Sequence, residues 1–211
     1  MFLIEKIDNA LQLLSLIVCT VLALFKATST HKRIWTLMSM FYAVVTLGTL
    51  YWFLYMMLYG DTPYYDFIPD LCWLAAFMYM LLVMLHIRDR EWSFKDHKIF
   101  WIIPVFTTGL AIFYMQWGEY FTNIAYAILM GMILYQSIGG IITADKKDSR
   151  YNLYFVTLIF CLVEYSLWTA SCFSWGGIPF LDPYYFFDIM LTAAYVLLYL
   201  ATGKAADDEL H

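Results

Sequence analysis

Residues 151–175 read YNLYFVTLIFCLVEYSLWTASCFSW, and this stretch decides the fold class. A helix that crosses the hydrocarbon core of a bilayer needs about 20 largely apolar residues. This run supplies them, with one acidic residue, Glu164, near its centre. Backbone groups inside lipid must find their hydrogen-bond partners within the same segment, so we predict a membrane-spanning helix over the whole stretch.

Six other stretches share this length and apolar character. Short polar joints separate them, and they run approximately over 10–25, 35–59, 68–87, 99–117, 122–142 and 184–202. The 211-residue chain is 63% hydrophobic and 14% charged, and its mean hydropathy is +0.68. A soluble domain of this size has too much surface to bury so many apolar side chains. We therefore predict an all-α fold, a seven-transmembrane-helix bundle that forms a single integral membrane domain over 1–211, with the lipid bilayer as its surroundings.

The basic residues predict which way the bundle faces. They gather in alternate joints and after the last helix, at Lys26, Lys32, Arg33, Arg88, Arg90, Lys95, Lys98, Lys146, Lys147, Arg150 and Lys204. Only Lys6 lies on the opposite side. Joints rich in lysine and arginine stay in the cytoplasm. We therefore predict an N-terminus outside and a C-terminus in the cytoplasm, in a multi-pass protein of the plasma (cell) membrane.

The joints on the predicted outer side have the opposite character. They carry Asp61, Asp66, Glu119 and Asp182, and they are dense in aromatic residues, which make up 20% of the chain. An ordinary belt of aromatic side chains at the membrane interface explains part of this pattern. An aromatic-lined cavity that opens to the outside is the alternative explanation.

Two of the outer joints resemble each other. PYYDF at 63–67 and PYYFF at 183–187 differ at one position, and an acid follows each of them, Asp70 or Asp188. We therefore predict a 3+1+3 parallel triple-helix repeat, in which the fourth helix links two triplets of the same orientation. The first repeat, the linker helix and the second repeat run over about 10–87, 99–117 and 122–202. Chance similarity between aromatic-rich helices is the alternative.

The fifth helix ends in Tyr135-Gln136-Ser137, which a short basic joint follows. With the 3+1+3 plan, this resembles the PQ-loop superfamily, which includes sugar transporters of the SWEET type, vitamin transporters of the PnuC type and the KDEL receptor. The resemblance covers the whole chain as architecture and implies a compact transporter-like bundle of seven helices. Tyr135 stands where that family has the proline of its motif, and the first helix has no such dipeptide. No functional residue is therefore transferred from the family.

Glu164 is the clearest polar group inside a predicted span. An ionisable residue at the centre of a membrane costs about 3 kcal/mol on insertion scales, so it suggests a function by default. Helical spacing places Trp168, Ser171 and Trp175 on the same face as Glu164. A functional carboxyl there could bind a cation or carry a coupling proton. A structural carboxylic acid that hydrogen-bonds a tyrosine of a neighbouring helix is the alternative.

Two further groups of polar and aromatic residues complete the predicted site. Asp188, Thr192, Tyr195 and Tyr199 follow steps of four, three and four residues along one face of helix seven. Asp70 begins helix three, with Trp73 behind it. The alternatives are that such stripes hold helices together and that the two aspartates are acids favoured by the helix dipole. The predicted substrate-binding residues are Glu164, Asp188, Asp70, Trp168, Tyr195, Tyr199, Trp73 and Thr192.

Carboxylates among aromatic rings favour organic cations through charge and cation–π attraction. We therefore expect a cationic or amphipathic small molecule as the ligand, in a cavity that opens to the outside.

The sequence offers little for catalysis or for cofactors. Its histidines occur singly, at His31, His86, His97 and His211, so they form no cluster that predicts a zinc or haem site. Helix seven contains no lysine for a retinal Schiff base, and GxSxG, P-loop and GxGxxG motifs are absent. We predict no catalytic residue, no metal, no cofactor and no nucleic-acid partner, and we do not expect an enzyme.

The four cysteines fall inside apolar segments without CxxC spacing, at Cys19, Cys72, Cys161 and Cys172. We predict that they are buried hydrophobic residues with free thiols. A Cys72–Cys172 disulfide near the outer face is the alternative.

Three functions remain open from the sequence. The first is a small-molecule transporter or permease, in which one triplet of helices rocks against the other. The second is a seven-helix sensor or receptor that binds an external small molecule and signals to a cytoplasmic partner. The third is a structural subunit of a larger membrane assembly. A homo-oligomer is compatible with all three.

Overall fold

The computed structural model describes residues 2–60, 67–88, 92, 97–117, 119–173 and 182–207. These residues are almost entirely helical, and none of them forms a strand. The helices are α1 (Phe2–Thr30), α2 (Arg33–Tyr59), α3 (Phe67–His86), α4 (Ile102–Tyr114), α5 (Tyr120–Thr143), α6 (Ser149–Ser171) and α7 (Pro183–Asp207). A short 3₁₀ helix, Lys98–Trp101, leads into α4. The predicted all-α fold is therefore confirmed.

Six of these helices are long and apolar enough to cross a membrane: α1, α2, α3, α5, α6 and α7. Their outward surfaces carry many exposed large hydrophobic side chains, such as Leu14, Val21 and Phe25 on α1. In water, so large an apolar surface would mark a site for association or aggregation, whereas lipid solvates it. The architecture is that of an integral membrane helical bundle.

The fourth predicted span, 99–117, is shorter than we expected. With its 3₁₀ lead-in, the apolar helix covers only Lys98–Tyr114. The backbone tightens into a turn after Tyr114, where Trp117 N–H donates to the Tyr114 carbonyl at 2.9 Å. Asn123 Nδ2 also donates to that carbonyl, at 3.0 Å. This side-chain cap ends α4 early because it satisfies one of the last carbonyl groups of the helix.

The first helix is longer than the predicted run of 10–25, and it extends at both ends. At its start, Asp8, Asn9 and Gln12 are buried inside the bundle, so neighbouring helices shelter the polar residues that interrupt the apolar run. At its end, hydroxyl groups bond back to the helix, as Thr30 Oγ1 does to the Lys26 carbonyl at 2.7 Å. The prediction was wrong here because it equated the helix with its apolar segment.

Six helices form a closed ring. Going around it, α1 packs on α2, α2 on α3, α3 on α5, α5 on α6, α6 on α7, and α7 on α1, while α4 packs against the outside of α5. A contact between α2 and α7 crosses the interior. At one end of the bundle, Lys32 Nζ donates to the Ala206 carbonyl, which connects the start of α2 to the end of α7.

The half of the bundle away from the N-terminus is densely packed with large side chains. Phe41, Tyr42 and Phe160 are at most 1% exposed. The rings of Phe41 and Phe160 meet edge to face at 6.0 Å, and the ring of Phe160 lies 5.6 Å from that of Tyr195. The Tyr42 hydroxyl donates to the Tyr195 backbone carbonyl at 2.7 Å. This half of the bundle therefore has a tightly packed aromatic interior.

Two glycines allow close approach near the end of α5. A Cβ atom added at Gly140 would lie 2.3 Å from Tyr154 ring atoms of α6, and one at Gly139 would lie 2.2 Å from the Trp92 ring. Tyr154 donates in turn to the Ile87 carbonyl at 3.2 Å, and Tyr135 donates to the Trp92 carbonyl at 2.5 Å. These contacts join α5, α6 and the joint after α3 at the end of the bundle opposite the N-terminus.

Candidate functional site

A cavity of about 420 Å³ lies between α1, α2, α3, α6 and α7. Its walls come from the first turns of α1, α3 and α7 and from the last turns of α2 and α6, so it lies at the end of the bundle that carries the N-terminus. Its volume falls within the range of about 300 to 1,000 Å³ that is usual for small-molecule sites. Five of the eight predicted residues line it: Glu164, Asp188, Trp168, Tyr195 and Trp73.

The first acidic group of the cavity is Glu164 of α6. Its side chain is only 6% exposed, and the Tyr195 hydroxyl of α7 donates to Glu164 Oε1 at 3.4 Å. Tyr195 is itself positioned from behind, because its backbone carbonyl accepts the hydrogen bond from Tyr42. Glu164 thus accepts the tyrosine hydrogen bond that the structural alternative predicts, and it also faces the cavity.

The second acidic group is Asp188 of α7, which is 3% exposed. Gln12 Nε2 of α1 donates to Asp188 Oδ1 at 2.6 Å. The Asp8 carboxyl, one helical turn before Gln12, also contacts the Asp188 carboxyl. Asp188 is therefore more than an acid at the start of a helix, because it joins α7 to α1.

Aromatic rings form another part of the lining. The rings of Trp52 and Trp73 lie 6.1 Å apart, and Phe77 meets Trp168 edge to face at 6.0 Å. The Tyr126 ring supports Trp168 from behind at 4.9 Å. Such contacts are typical of aromatic side chains that fix one another's orientation. The wall therefore presents indole and phenyl groups to the same space as the carboxyl groups.

Three predicted site residues lie away from the cavity. Asp70 is engaged at the boundary between α3 and α5, where the Tyr126 hydroxyl donates to its backbone carbonyl at 3.2 Å and to Oδ1 at 3.4 Å. Thr192 is buried beside the cavity but does not line it. Tyr199 packs on Trp35 of α2, with ring centroids 5.2 Å apart.

Half of the predicted stripe on helix seven lines the cavity. The lining along α7 ends at Tyr195. Tyr199, one helical turn further on, therefore lies beyond the cavity, where it packs on Trp35.

Helix α1 supplies site residues that the sequence analysis missed. Glu5, Asn9 and Gln12 all line the cavity. Their spacing of four and three residues follows one helical face, which is the signal that could have identified them. The predicted first span of 10–25 left out Glu5 and Asn9, because it began where the charged residues ended, and it contained Gln12 without marking it as a site residue.

Other parts of the lining come from residues outside the predicted site. Thr49 and Trp52 of α2, Ser171 of α6 and Asp182, Tyr184 and Tyr185 at the start of α7 complete the polar and aromatic surface. Several positions named in the sequence analysis lie outside the described residues: Trp175, Asp61, Asp66, Arg90, Lys95 and the joint at 63–66.

The charge of the cavity has one sign. Within the described part of the chain, its lining includes the acids Glu5, Glu164, Asp182 and Asp188 and no lysine, arginine or histidine. Apolar and aromatic walls reduce the screening of such charges by water. In the same described residues, no three His, Cys, Asp or Glu side chains are grouped so that they could hold a metal ion. The lining therefore places several acidic groups among aromatic walls.

The four cysteines carry free thiols, so the Cys72–Cys172 disulfide that remained open is not formed. Cys19, Cys72 and Cys161 are buried, as we predicted, whereas Cys172 is partly exposed. Comparisons of the chain with protein-family models, with curated proteins and with solved structures give no match. The function must therefore be argued from the cavity itself.

Proposed function

We propose that this protein is a small-molecule membrane transporter or permease that binds a cationic, amphipathic metabolite in the cavity between α1, α2, α3, α6 and α7. The observation that carries this proposal is the lining of that cavity. Acids from three helices and a wall of tryptophan rings face one space of about 420 Å³. A ligand with a positive charge and an apolar body complements both surfaces.

The two kinds of wall act on a cation in different ways. A carboxylate about 4 Å away attracts a unit charge by about 4 kcal/mol where the effective dielectric constant is about 20. An aromatic face adds about 0.5 to 2 kcal/mol, depending on how far the site excludes water. Trp73 and Trp168 supply such faces beside Glu164. A quaternary or protonated amine gains from both, while an anion is repelled by the acids.

The order of helices in the ring supports the 3+1+3 repeat as part of this proposal. If α1, α2 and α3 are exchanged with α5, α6 and α7, every neighbour contact maps onto another one: α1–α2 onto α5–α6, α2–α3 onto α6–α7, and α3–α5 onto α7–α1. Two equivalent triplets that enclose one site are the arrangement in which rocking gives alternating access. With the N-terminus outside the plasma membrane, the cavity faces the exterior and the packed half faces the cytoplasm.

Transport in proteoliposomes tests the proposal. We expect the purified protein to catalyse uptake of ethidium, a fluorescent amphipathic cation, and we expect tetraethylammonium to compete. We further expect the Glu164→Gln, Asp188→Asn double variant to bind ethidium at least about tenfold more weakly, which corresponds to about 1.4 kcal/mol. Glu119→Gln is the matched control, because Glu119 is an exposed acid outside the cavity. Unchanged binding by the double variant would contradict the assignment of the site.

A receptor for the same ligand is the second candidate. The observation that favours it is the packed half below the cavity, where the Tyr42–Tyr195 hydrogen bond and the Phe41 and Phe160 rings close the path. A receptor would bind ethidium without moving it across the membrane. It would also co-purify with a cytoplasmic signalling partner or form a homo-oligomer, which a transporter does not require. Binding without flux in the proteoliposome assay therefore selects this candidate.

A further inference from the structure

Asp8 and Asp188 form a pair of acids that transport of a cation does not by itself require. Asp8 is 7% exposed and Asp188 is 3% exposed, and their carboxyl groups contact each other between α1 and α7. Only Asp188 lines the cavity, so the pair reaches from the cavity wall into the interface between the two helices. Gln12 holds Asp188 from the side, through the 2.6 Å hydrogen bond to Oδ1.

The hydrogen-bonding groups around the pair are incomplete. Asp8 Oδ2 is buried and finds no hydrogen-bond donor among the described residues. A buried, ionised oxygen without a donor is costly, since nothing replaces the water that it has lost. Thr192, one helical turn after Asp188, also has a buried hydroxyl oxygen without a partner in the described part of the chain. Asp8 Oδ2, which can only accept when it is ionised, therefore lacks a hydrogen-bond donor.

A proton between the two carboxyl groups supplies what is missing. Two ionised carboxylates in contact repel each other, whereas one carboxylic acid donates an O–H to the other carboxylate. Such a pair carries one negative charge and binds and releases its proton as a unit. The Gln12 amide suits this state, because it donates to the carboxylate oxygen of Asp188 while the shared proton occupies the other side.

We propose that Asp8 and Asp188 share one proton and that an organic cation entering the cavity displaces it, so that the protein exchanges the cation for H⁺. The exchange rests on the proposed transport function, whereas the shared proton does not. When the cation binds beside Asp188, its charge compensates the second carboxylate. The proton leaves through Asp188, the member of the pair that faces the cavity, and enters the cavity water. Charge and atoms balance, because one positive charge replaces another.

The other titratable groups around the pair are acids and phenols in the described residues. Glu5 comes from α1, Tyr184 and Tyr185 come from α7, and Glu164 comes from α6. Helix α2, which packs against both α1 and α7, contributes the neutral Thr49 and Trp52 to this region. A cation in the cavity therefore brings a charge whose sign is opposite to that of the acids around the pair.

Infrared spectroscopy of the purified protein tests the shared proton directly. At neutral pH we expect the absorbance of one protonated carboxyl group to disappear in Asp8→Asn and equally in Asp188→Asn. The double variant should lose no more than either single one, because only one proton is present. Asp207→Asn, an exposed position on the same helix α7, is the matched control and should leave the band unchanged. Loss in one variant only, additive loss in the double variant or no loss in any would each overturn the shared proton.

The exchange is tested with ethidium and a pH-sensitive dye. We expect the wild-type protein to release about one proton for each ethidium bound, and we expect Asp8→Asn to release none per ethidium bound, whatever its affinity. Melting temperature identifies a variant that fails to fold, and in that case Asp8→Ser replaces it in the same measurement. Ethidium binding by the wild type without proton release overturns the exchange and leaves the transport proposal standing. An intact infrared result without ethidium binding refutes the ligand class and keeps the proton site.

Discussion

Gly140→Ala tests how closely α5 approaches α6. The added Cβ would lie 2.3 Å from two carbons of the Tyr154 ring and 2.4 Å from a third. Carbon atoms pack at about 3.5 to 4.0 Å, so the ring must move by roughly 1 Å. Tyr154 has little room to do so, since it is 3% exposed, packs edge to face on Trp92 and donates to the Ile87 carbonyl.

The magnitude follows from three contributions. Overpacking a well-filled interior costs about 1 to 3 kcal/mol, and loss of the Tyr154 hydrogen bond costs about 1 kcal/mol more. The higher helix propensity of alanine offsets about 1 kcal/mol of this destabilisation. We therefore expect Gly140→Ala to lower the free energy of unfolding by about 1 to 3 kcal/mol. The measurement is an unfolding titration in mixed micelles with increasing SDS, followed by tryptophan fluorescence.

Gly109→Ala is the matched control, because a Cβ at Gly109 in α4 meets nothing within 4 Å. We expect it to be neutral or to stabilise the protein by up to about 1 kcal/mol through helix propensity alone. Tyr154→Ala should remove most of the penalty of Gly140→Ala in a double-mutant cycle, since the clash requires the ring. Equal stability of Gly140→Ala and Gly109→Ala would refute the close packing of these two helices.

Three further predictions concern other parts of the chain. Asp148→Ala should destabilise the start of α6 by about 1 kcal/mol at neutral pH, because Asp148 Oδ1 accepts the Arg150 backbone N–H at 2.9 Å and its carboxylate pairs with the Arg150 guanidinium at 2.7 Å. This pair holds the pKa of Asp148 below its usual range. The stabilisation is therefore present above the unfolded-state pKa and disappears as the pH falls through the folded-state pKa. Unfolding curves of the wild type and of Asp148→Ala, measured in parallel from pH 7 downward, check this dependence, and a difference in stability that stays constant with pH would contradict it. A reporter fused after Lys204 should remain in the cytoplasm while a tag at Asp61 is accessible from outside, and the reverse labelling would invert the predicted orientation. Tyr42→Phe should cost about 1 kcal/mol, since it leaves the Tyr195 carbonyl without its 2.7 Å donor; the same SDS titration measures it, and an unchanged midpoint would show that this carbonyl finds another donor.

The helices could be predicted because apolar length is a property of local sequence. Six of the seven predicted spans coincide with helices that can cross a membrane. The exceptions arise where a distant residue decides the outcome. Asn123 of α5 caps the last turn of α4, and α7 shelters the polar start of α1 through the bond from Gln12 to Asp188. Neither contact can be recognised from the local pattern of apolar residues that predicts a span.

The cavity could be predicted only in part. Glu164 and Asp188 stood out because acids are rare inside apolar runs, and both line the cavity. Asp8 did not stand out, since a charged residue near the start of a chain is expected to lie in water. Its burial depends on the pairing of α1 with α7, which is a contact between distant parts of the chain. Helical spacing of Glu5, Asn9 and Gln12 was the available signal, although it does not reveal which helix they face.

The polar groups in and beside the cavity bear on the proposed binding of a cation and a proton. Polar residues that hold helices together satisfy one another's hydrogen bonds, as Tyr42 and the Tyr195 carbonyl do. Within the described residues, Asp8 Oδ2 and Thr192 Oγ1 are buried without partners next to the cavity, as Gln136 Oε1, Thr157 Oγ1 and Tyr165 Oη are elsewhere in the bundle. The bond from Tyr195 to Glu164 is also long, at 3.4 Å. Incomplete networks of this kind cost stability. Under the exchange proposed above, the shared proton supplies the donor that the Asp8–Asp188 pair lacks, and a cation bound in the cavity supplies the compensating charge beside Asp188.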